Sequence, residues 1–241
     1  MTMLLFYRKP VLLDRERHAE LKLDRGAGYG FARSSNSVML SGEEFAAASA
    51  SYPVVFVDIG GGRLFPVALL GLRARENLFV RASGAWEAGR YVPAFVRRYP
   101  FVLTDDQNVC FDEAAPALKG RKGEPLFAPD GASTPVLAET LAFLSAYQRT
   151  IDETQRFVDR LSTLALLKPI ALQVAVDADA PFRLKGLHVV DEAALNALQD
   201  EALLPLFRAG WLGWIHAHLT SLARIDDLGA RSRARAPAQA A

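Results

Sequence analysis

Tyr52-Pro53-Val54-Val55-Phe56-Val57 and Phe65-Pro66-Val67-Ala68-Leu69-Leu70 flank Asp58-Ile59-Gly60-Gly61-Gly62-Arg63, and this arrangement decides the fold class. Both flanks are β-branched and aromatic runs suited to a pleated, half-buried surface. The glycines between them accept the positive φ angles that tight hairpins need, so the segment predicts a β-hairpin. A phosphate-cradling loop would need a helix directly afterwards and a Lys-Ser/Thr pair, and neither follows.

Reading outward, Asn77-Leu78-Phe79-Val80 is expected to add a strand, with Ser83-Gly84 as the next turn leading to Trp86. Phe101-Val102-Leu103 and Val109-Cys110-Phe111 predict two more strands around the polar turn Asp105-Asp106-Gln107-Asn108, making an antiparallel meander. Residues 1–30 carry no clear period. Gly26-Ala27-Gly28-Tyr29-Gly30 reads as a turn-rich connection, because its spacing is not that of a dinucleotide fingerprint. From Glu113 to Pro135 the composition shifts to Gly, Pro, Lys and Glu, as in a loop excursion.

Thr134 can cap a helix whose first residue is Pro135, where a missing N–H costs nothing. Leu137, Leu141, Leu144, Tyr147, Ile151, Phe157, Val158, Leu161 and Leu164 recur at spacings near three and four, and Pro169 is expected to end the run. That pattern is one long amphipathic helix, or two with a kink. Leu172–Val176 and Phe182–Val190 alternate as a second strand pair. Asp191 then caps a helix to about Leu198, and a last helical stretch runs from about Leu203 to Leu228, broken near Gly210. The expected architecture is a single α+β domain over residues 1–230: an antiparallel sheet or meander, a long amphipathic helix and C-terminal helices. Residues 231–241, basic and without apolar period, are expected to be a disordered tail.

The chain has 241 residues, 51% hydrophobic and 23% charged, enough for one sizeable core. Its net charge of +1 gives no global attraction to nucleic acid or anionic lipid, so neither is an expected partner. The single cysteine, Cys110, excludes an intrachain disulfide and suits a reducing compartment or, equally, a disulfide-free exported protein. Tyr7-Arg8-Lys9-Pro10 interrupts the apolar run Met3-Leu4-Leu5-Phe6 before it reaches signal-peptide length, and no run approaches the roughly 20 apolar residues of a membrane span. A cytoplasmic location without a transmembrane segment is therefore expected; the oligomeric state stays open.

Arg90, Tyr91, Arg97, Arg98 and Tyr99, with Trp86 nearby, form the strongest candidate binding site. A short helix over Tyr91–Arg98 would present planar guanidinium donors suited to carboxylate or phosphate. The alternative is structural: Arg97 and Arg98 pair with Asp105, Asp106 or Asp112, and Trp86 is core. His216-Ala217-His218 lies in a helical context, where neighbours two apart point roughly 200° away from each other and cannot share a metal ion. One of the two is expected to pack against Trp211 or Trp214 and hydrogen-bond a carbonyl. There is no Gly-x-Ser-x-Gly elbow, Cys110 sits in an apolar strand pattern, and the carboxylate pairs fall at turns and helix ends. No catalytic residue, metal site or cofactor is expected.

The central segment, with Tyr91-Val92-Pro93-Ala94-Phe95-Val96-Arg97-Arg98-Tyr99-Pro100-Phe101, resembles the signature of the SapC family. Asn36-Ser37-Val38, Glu44-Phe45, Gly186–Glu192 and Ala217–Leu222 extend the resemblance over nearly the whole chain. It implies a bacterial protein associated with secretion or assembly of surface-layer proteins, with a surface or secretion-related protein as partner. It carries no catalytic residues. Relatives also keep company with outer-membrane receptors and flavin-dependent halogenase-like proteins, which implies peptide or metabolite modification as the rival role.

Overall fold

The computed structural model describes residues 4–104, 106–120, 122–174 and 182–235. Ten strands are present among them: β1 (Pro10–Leu12), β2 (Lys22–Leu23), β3 (Ser37–Met39), β4 (Val54–Asp58), β5 (Leu64–Leu69), β6 (Phe101–Leu103), β7 (Val109–Asp112), β8 (Glu124–Pro125), β9 (Leu167–Val174) and β10 (Phe182–Val190). The helices are α1 (Phe45–Ser49), α2 (Ala94–Arg97), α3 (Pro135–Thr163), α4 (Glu192–Asn196), α5 (Asp200–Arg208), α6 (Trp211–Ser221) and α7 (Arg224–Arg235). This is the expected α+β class.

The predicted hairpin is β4–β5, with Val55 opposite Val67 and Val57 opposite Phe65. Its turn is held by Asp58, whose carboxylate accepts from Gly60 N and Gly62 N, while Gly60, Gly61 and Gly62 all have positive φ. The hairpin is the centre of a five-stranded antiparallel sheet in the order β3-β5-β4-β10-β9. A separate three-stranded sheet, β1-β7-β6, holds the strands predicted at Phe101–Leu103 and Val109–Phe111, and β2 with β8 makes a small ribbon; the pair predicted at Leu172–Val176 and Phe182–Val190 is β9–β10 of the larger sheet, with residues 175 and 176 outside the described residues. The strands are thus divided between sheets instead of forming one meander. Asn77–Val80 is not a strand: only Val80 makes a bridge, to Trp86, and the buried Asn77 side chain replaces a ladder by accepting from Phe79 N and donating to Ala32 O.

Helix α3 is a single 29-residue rod, about 43 Å long at 1.5 Å per residue. Thr134 Oγ1 accepts from Leu137 N, as the cap reading required. The helix ends at Thr163, where Ala165 has φ +52°, and Pro169 lies inside β9. β9 ends the sheet order, and an edge strand tolerates the missing N–H of proline. The first turns of α3 pack Val136, Leu137 and Leu144 with Phe101, Phe111 and Leu126 around the three-stranded sheet. Its later turns pack Ile151, Phe157, Val158 and Leu161 against the five-stranded sheet. The rod therefore joins two cores.

In the larger core, Phe157 sits 5.3 Å from Trp214, 6.2 Å from Phe45 and 6.4 Å from Phe56, ring centroid to centroid. Helix α6 closes this core with polar side chains as well. His218 Nδ1–H donates to Val54 O at 2.9 Å, His218 Nε2 accepts from Val190 N at 3.1 Å, and Ser221 Oγ accepts from Val54 N at 2.9 Å. These bonds satisfy strand-end groups that the β4–β10 pairing leaves open. His218 packs on Phe56 at 5.1 Å, and burial pushes its pKa down to about 4, against the smaller upward effect of the Val54 carbonyl. It is the histidine expected to bond a carbonyl, with Phe56 in place of a tryptophan.

Residues expected in the C-terminal tail begin as structure: α7 continues to Arg235. Arg231 makes a two-pronged ion pair with Glu87 at 2.7 and 3.0 Å, and its guanidinium stacks 4.7 Å from the Phe79 ring centroid. Basic residues without an apolar period are held here by charge and stacking, which hydrophobic patterning does not register. Residues 236–241 lie outside the described residues.

Candidate functional site

The segment from Tyr91 to Phe101 links the two sheets. It is fixed at its start by Glu44, which is buried in a turn before α1. One Glu44 oxygen accepts from Ser41 N and Ser41 Oγ at 2.9 and 2.8 Å; the other accepts from Tyr91 OH at 3.0 Å and Ala94 N at 2.6 Å. A buried carboxylate is thereby bonded at both oxygens while holding the first N–H of α2. Burial, followed by the neighbouring Glu44 carboxylate, raises the Tyr91 hydroxyl to about 12. Behind it, Trp86 Nε1 donates to Tyr52 Oη at 2.8 Å, and Tyr52 Oη donates to the Tyr91 carbonyl.

The far end is fixed by Asp112 on β7, fully buried. It accepts from Tyr99 OH (2.8 Å), Lys9 N (2.8 Å), Ala114 N (3.0 Å) and Arg8 N (3.1 Å). Burial alone would raise the Asp112 pKa; these donors outweigh it and leave the carboxyl below its ordinary value. Through a cis Tyr99–Pro100 bond the chain enters β6, and Tyr99 packs against both cores.

Between these anchors lies a cleft of about 700 Å³. Half-buried aromatic rings form its walls: Tyr29 and Phe31 from the glycine-rich turn, Tyr99, and Phe143 from α3. Phe31 and Tyr99 lie 4.1 Å apart at 30°. Among the described residues that line it, Arg8, Arg25, Arg97 and Arg98 outnumber the carboxylates of Asp24 and Glu139. Arg25 is committed to Glu139 at 2.7 Å.

The six residues singled out from the sequence divide evenly. Arg97, Arg98 and Tyr99 border the cleft; Trp86, Arg90 and Tyr91 do not. Trp86 is buried with its indole N–H committed, and Arg90 lies against Glu87 at 3.2 Å and Ala50 O at 3.3 Å. Tyr91 acts one step back. Its hydroxyl accepts from Arg97 Nη2 at 3.2 Å, and Arg97 Nε donates to Val92 O at 3.0 Å. Arg97 also lies 5.2 Å from the Phe143 ring centroid and 5.8 Å from that of Tyr91. Nε and Nη2 share one edge of the guanidinium, so that edge is anchored to the protein. Nη1 of this exposed side chain makes no hydrogen bond and Nη2 only the one to Tyr91, and among the described residues Arg97 has no acidic partner.

Arg98 is buried and differently placed, its guanidinium 4.4 Å from the Phe95 and 5.3 Å from the Tyr147 ring centroid. Of the three carboxylates offered as partners for the arginine pair, Asp112 is bonded to Tyr99 and three backbone amides, and Asp105 lies outside the described residues. Both ring nitrogens of His218 are committed to Val54 O and Val190 N, and no group of three metal-ligating side chains occurs among the described residues.

Tyr29, Phe31, Arg8, Thr140 and Phe143 were not singled out in the sequence. Two signals pointed to three of them, and none to Arg8 or Thr140. Tyr29 and Phe31 are large rings in a glycine-rich turn, where core packing is not expected. Phe143 is an aromatic residue off the core stripe of α3.

These features define an α+β protein with an arginine- and aromatic-lined cleft where two sheets are tied together by one segment. The chain belongs to the SapC family, whose family model matches residues 13–228. No curated protein and no solved structure is significantly similar to it. No described helix is long and apolar enough to cross a membrane.

Proposed function

We propose that the protein is a non-enzymatic accessory factor that assists secretion or assembly of surface-layer or other surface proteins, by holding an acidic segment of its client in this cleft. It would meet the client in the cytoplasm, where a lone cysteine such as Cys110 stays reduced. The observation that carries the reading is Arg97, anchored by one guanidinium edge with the other available beside aromatic walls. A fixed arginine loses little freedom on binding, and planar donors match carboxylates.

A second reading is favoured by the size of the cleft, which falls within the roughly 300–1,000 Å³ of small-molecule sites. In it the protein is a peptide- or metabolite-modifying enzyme, or its substrate-delivery subunit, and the ligand is a small acid.

The test is photo-crosslinking in the source cells from a benzophenone amino acid at Phe143. A surface or secreted polypeptide adduct that is lost with Arg97→Ala in a folded variant supports the accessory role. Recovery of low-mass acids alone transfers the assignment to the second reading. Adducts indifferent to Arg97 refute both.

A further inference from the structure

Resting on the accessory reading, we propose that the cleft takes a polypeptide C-terminus ending in an aromatic residue, with the terminal α-carboxylate on Arg97 and the ring among Phe31, Tyr99 and Phe143. The end-on Nη1/Nη2 edge of Arg97 offers two coplanar nitrogens, a match for a planar carboxylate. The cation and an aromatic wall are 5.2 Å apart at Phe143, within the span of a single residue. An internal aspartate or glutamate brings the acid without a ring on the same residue. A terminal aromatic residue brings both.

The walls suit a ring. The Tyr99 hydroxyl is turned away to Asp112, leaving its ring to the cleft, and Phe31 lies against it. Neighbouring rings already meet edge to face, Phe6 with Phe31 at 5.1 Å and 69°, so an incoming ring would continue a packing the wall already uses. The cleft is several times the volume of one aromatic side chain, which leaves room for the residues preceding the terminus toward Leu23 and Asp24. A free aromatic acid would leave that space unused.

Calorimetric titration of the full chain decides it, with four probes: a hexapeptide ending in phenylalanine with a free carboxylate, its C-terminal amide, 3-phenylpropanoate, and a capped hexapeptide with central aspartates. The free-carboxylate peptide should bind, and the amide about 10-fold or more weakly, since a charge-assisted bond is worth roughly 1.5–3 kcal/mol. Arg97→Ala should cost about as much as the amide. Thr140→Trp, which fills the cleft from α3, should abolish binding. Equal affinity for 3-phenylpropanoate would show that no polypeptide is read. Binding of the aspartate peptide alone through Arg97 refutes the C-terminal assignment while sparing the acidic-segment reading. If all four probes are ignored, both fall.

Discussion

Acidification from pH 7 to pH 5 should remove stability through His218. Its ring is fully buried and neutral: Nδ1 donates to Val54 O and Nε2 accepts from Val190 N, so a second proton has no acceptor and would break the bond to Val190. The folded pKa is about 4, lowered by burial from 6.5. Between those values the unfolded chain holds a proton that the folded chain refuses, so stability is full above the unfolded pKa and declines as pH falls toward the folded one. At about 1.4 kcal/mol per pH unit the whole window is worth about 3 kcal/mol, of which about 2 kcal/mol is lost by pH 5. Asp112 is depressed from 3.8, so its contribution is lost at lower pH and leaves this window clear. Urea unfolding followed by far-UV circular dichroism at pH 7 and pH 5, on wild type and His218→Gln, isolates the effect. The variant keeps an uncharged hydrogen-bonding group, and whatever its absolute stability, its loss between the two pH values should be about 2 kcal/mol smaller. Equal losses in the two proteins would refute the buried neutral imidazole.

Asp112→Asn replaces a four-donor acceptor by a group that turns its own N–H toward some of those donors; it should cost about 2–4 kcal/mol in urea unfolding and loosen Tyr99 at the cleft. Two glycines should respond in opposite directions in a thermal melt. A Cβ on Gly42 would meet the Trp214 ring at 2.1 Å, in a turn pinned by Gly42 N to Thr154 Oγ1, so Gly42→Ala should lose roughly 1–3 kcal/mol or more. Gly213, on α6 with nothing within 4 Å, should gain about 0.5–1 kcal/mol as alanine.

Elements with a strong local period were legible. The β4–β5 hairpin, the α3 stripe with its Thr134 cap, the Asp191 cap and the break at Gly210 all follow from turn glycines, capping side chains and apolar spacing. Elements set by long-range partners were not. β1 is three residues long and exists because β7 pairs with it, and β3 is fixed by β5. The division into two sheets depends on which hairpin each half of α3 covers, and no local pattern carries that. The part of α7 beyond Leu228 was missed for a related reason: Arg231 is ordered by Glu87 and Phe79, roughly 150 residues away in sequence.

The site was half legible because composition announces a binding surface more readily than it says which residues face it. Arg97 and Arg98 invite reading as a clamp. On a helix, however, successive side chains are turned about 100° from each other, so adjacent residues do not converge on one target. Across the single turn of α2 the doublet separates: Arg97 goes outward over Phe143, Arg98 inward between Phe95 and Tyr147. What holds Arg97 in place is the set of residues that looked like co-ligands in the sequence. Tyr91 holds its guanidinium, Glu44 holds Tyr91, and Tyr52 with Trp86 holds the Tyr91 carbonyl. The aromatic and arginine order of this segment is therefore mostly a mounting for one guanidinium, the group on which the proposed binding rests.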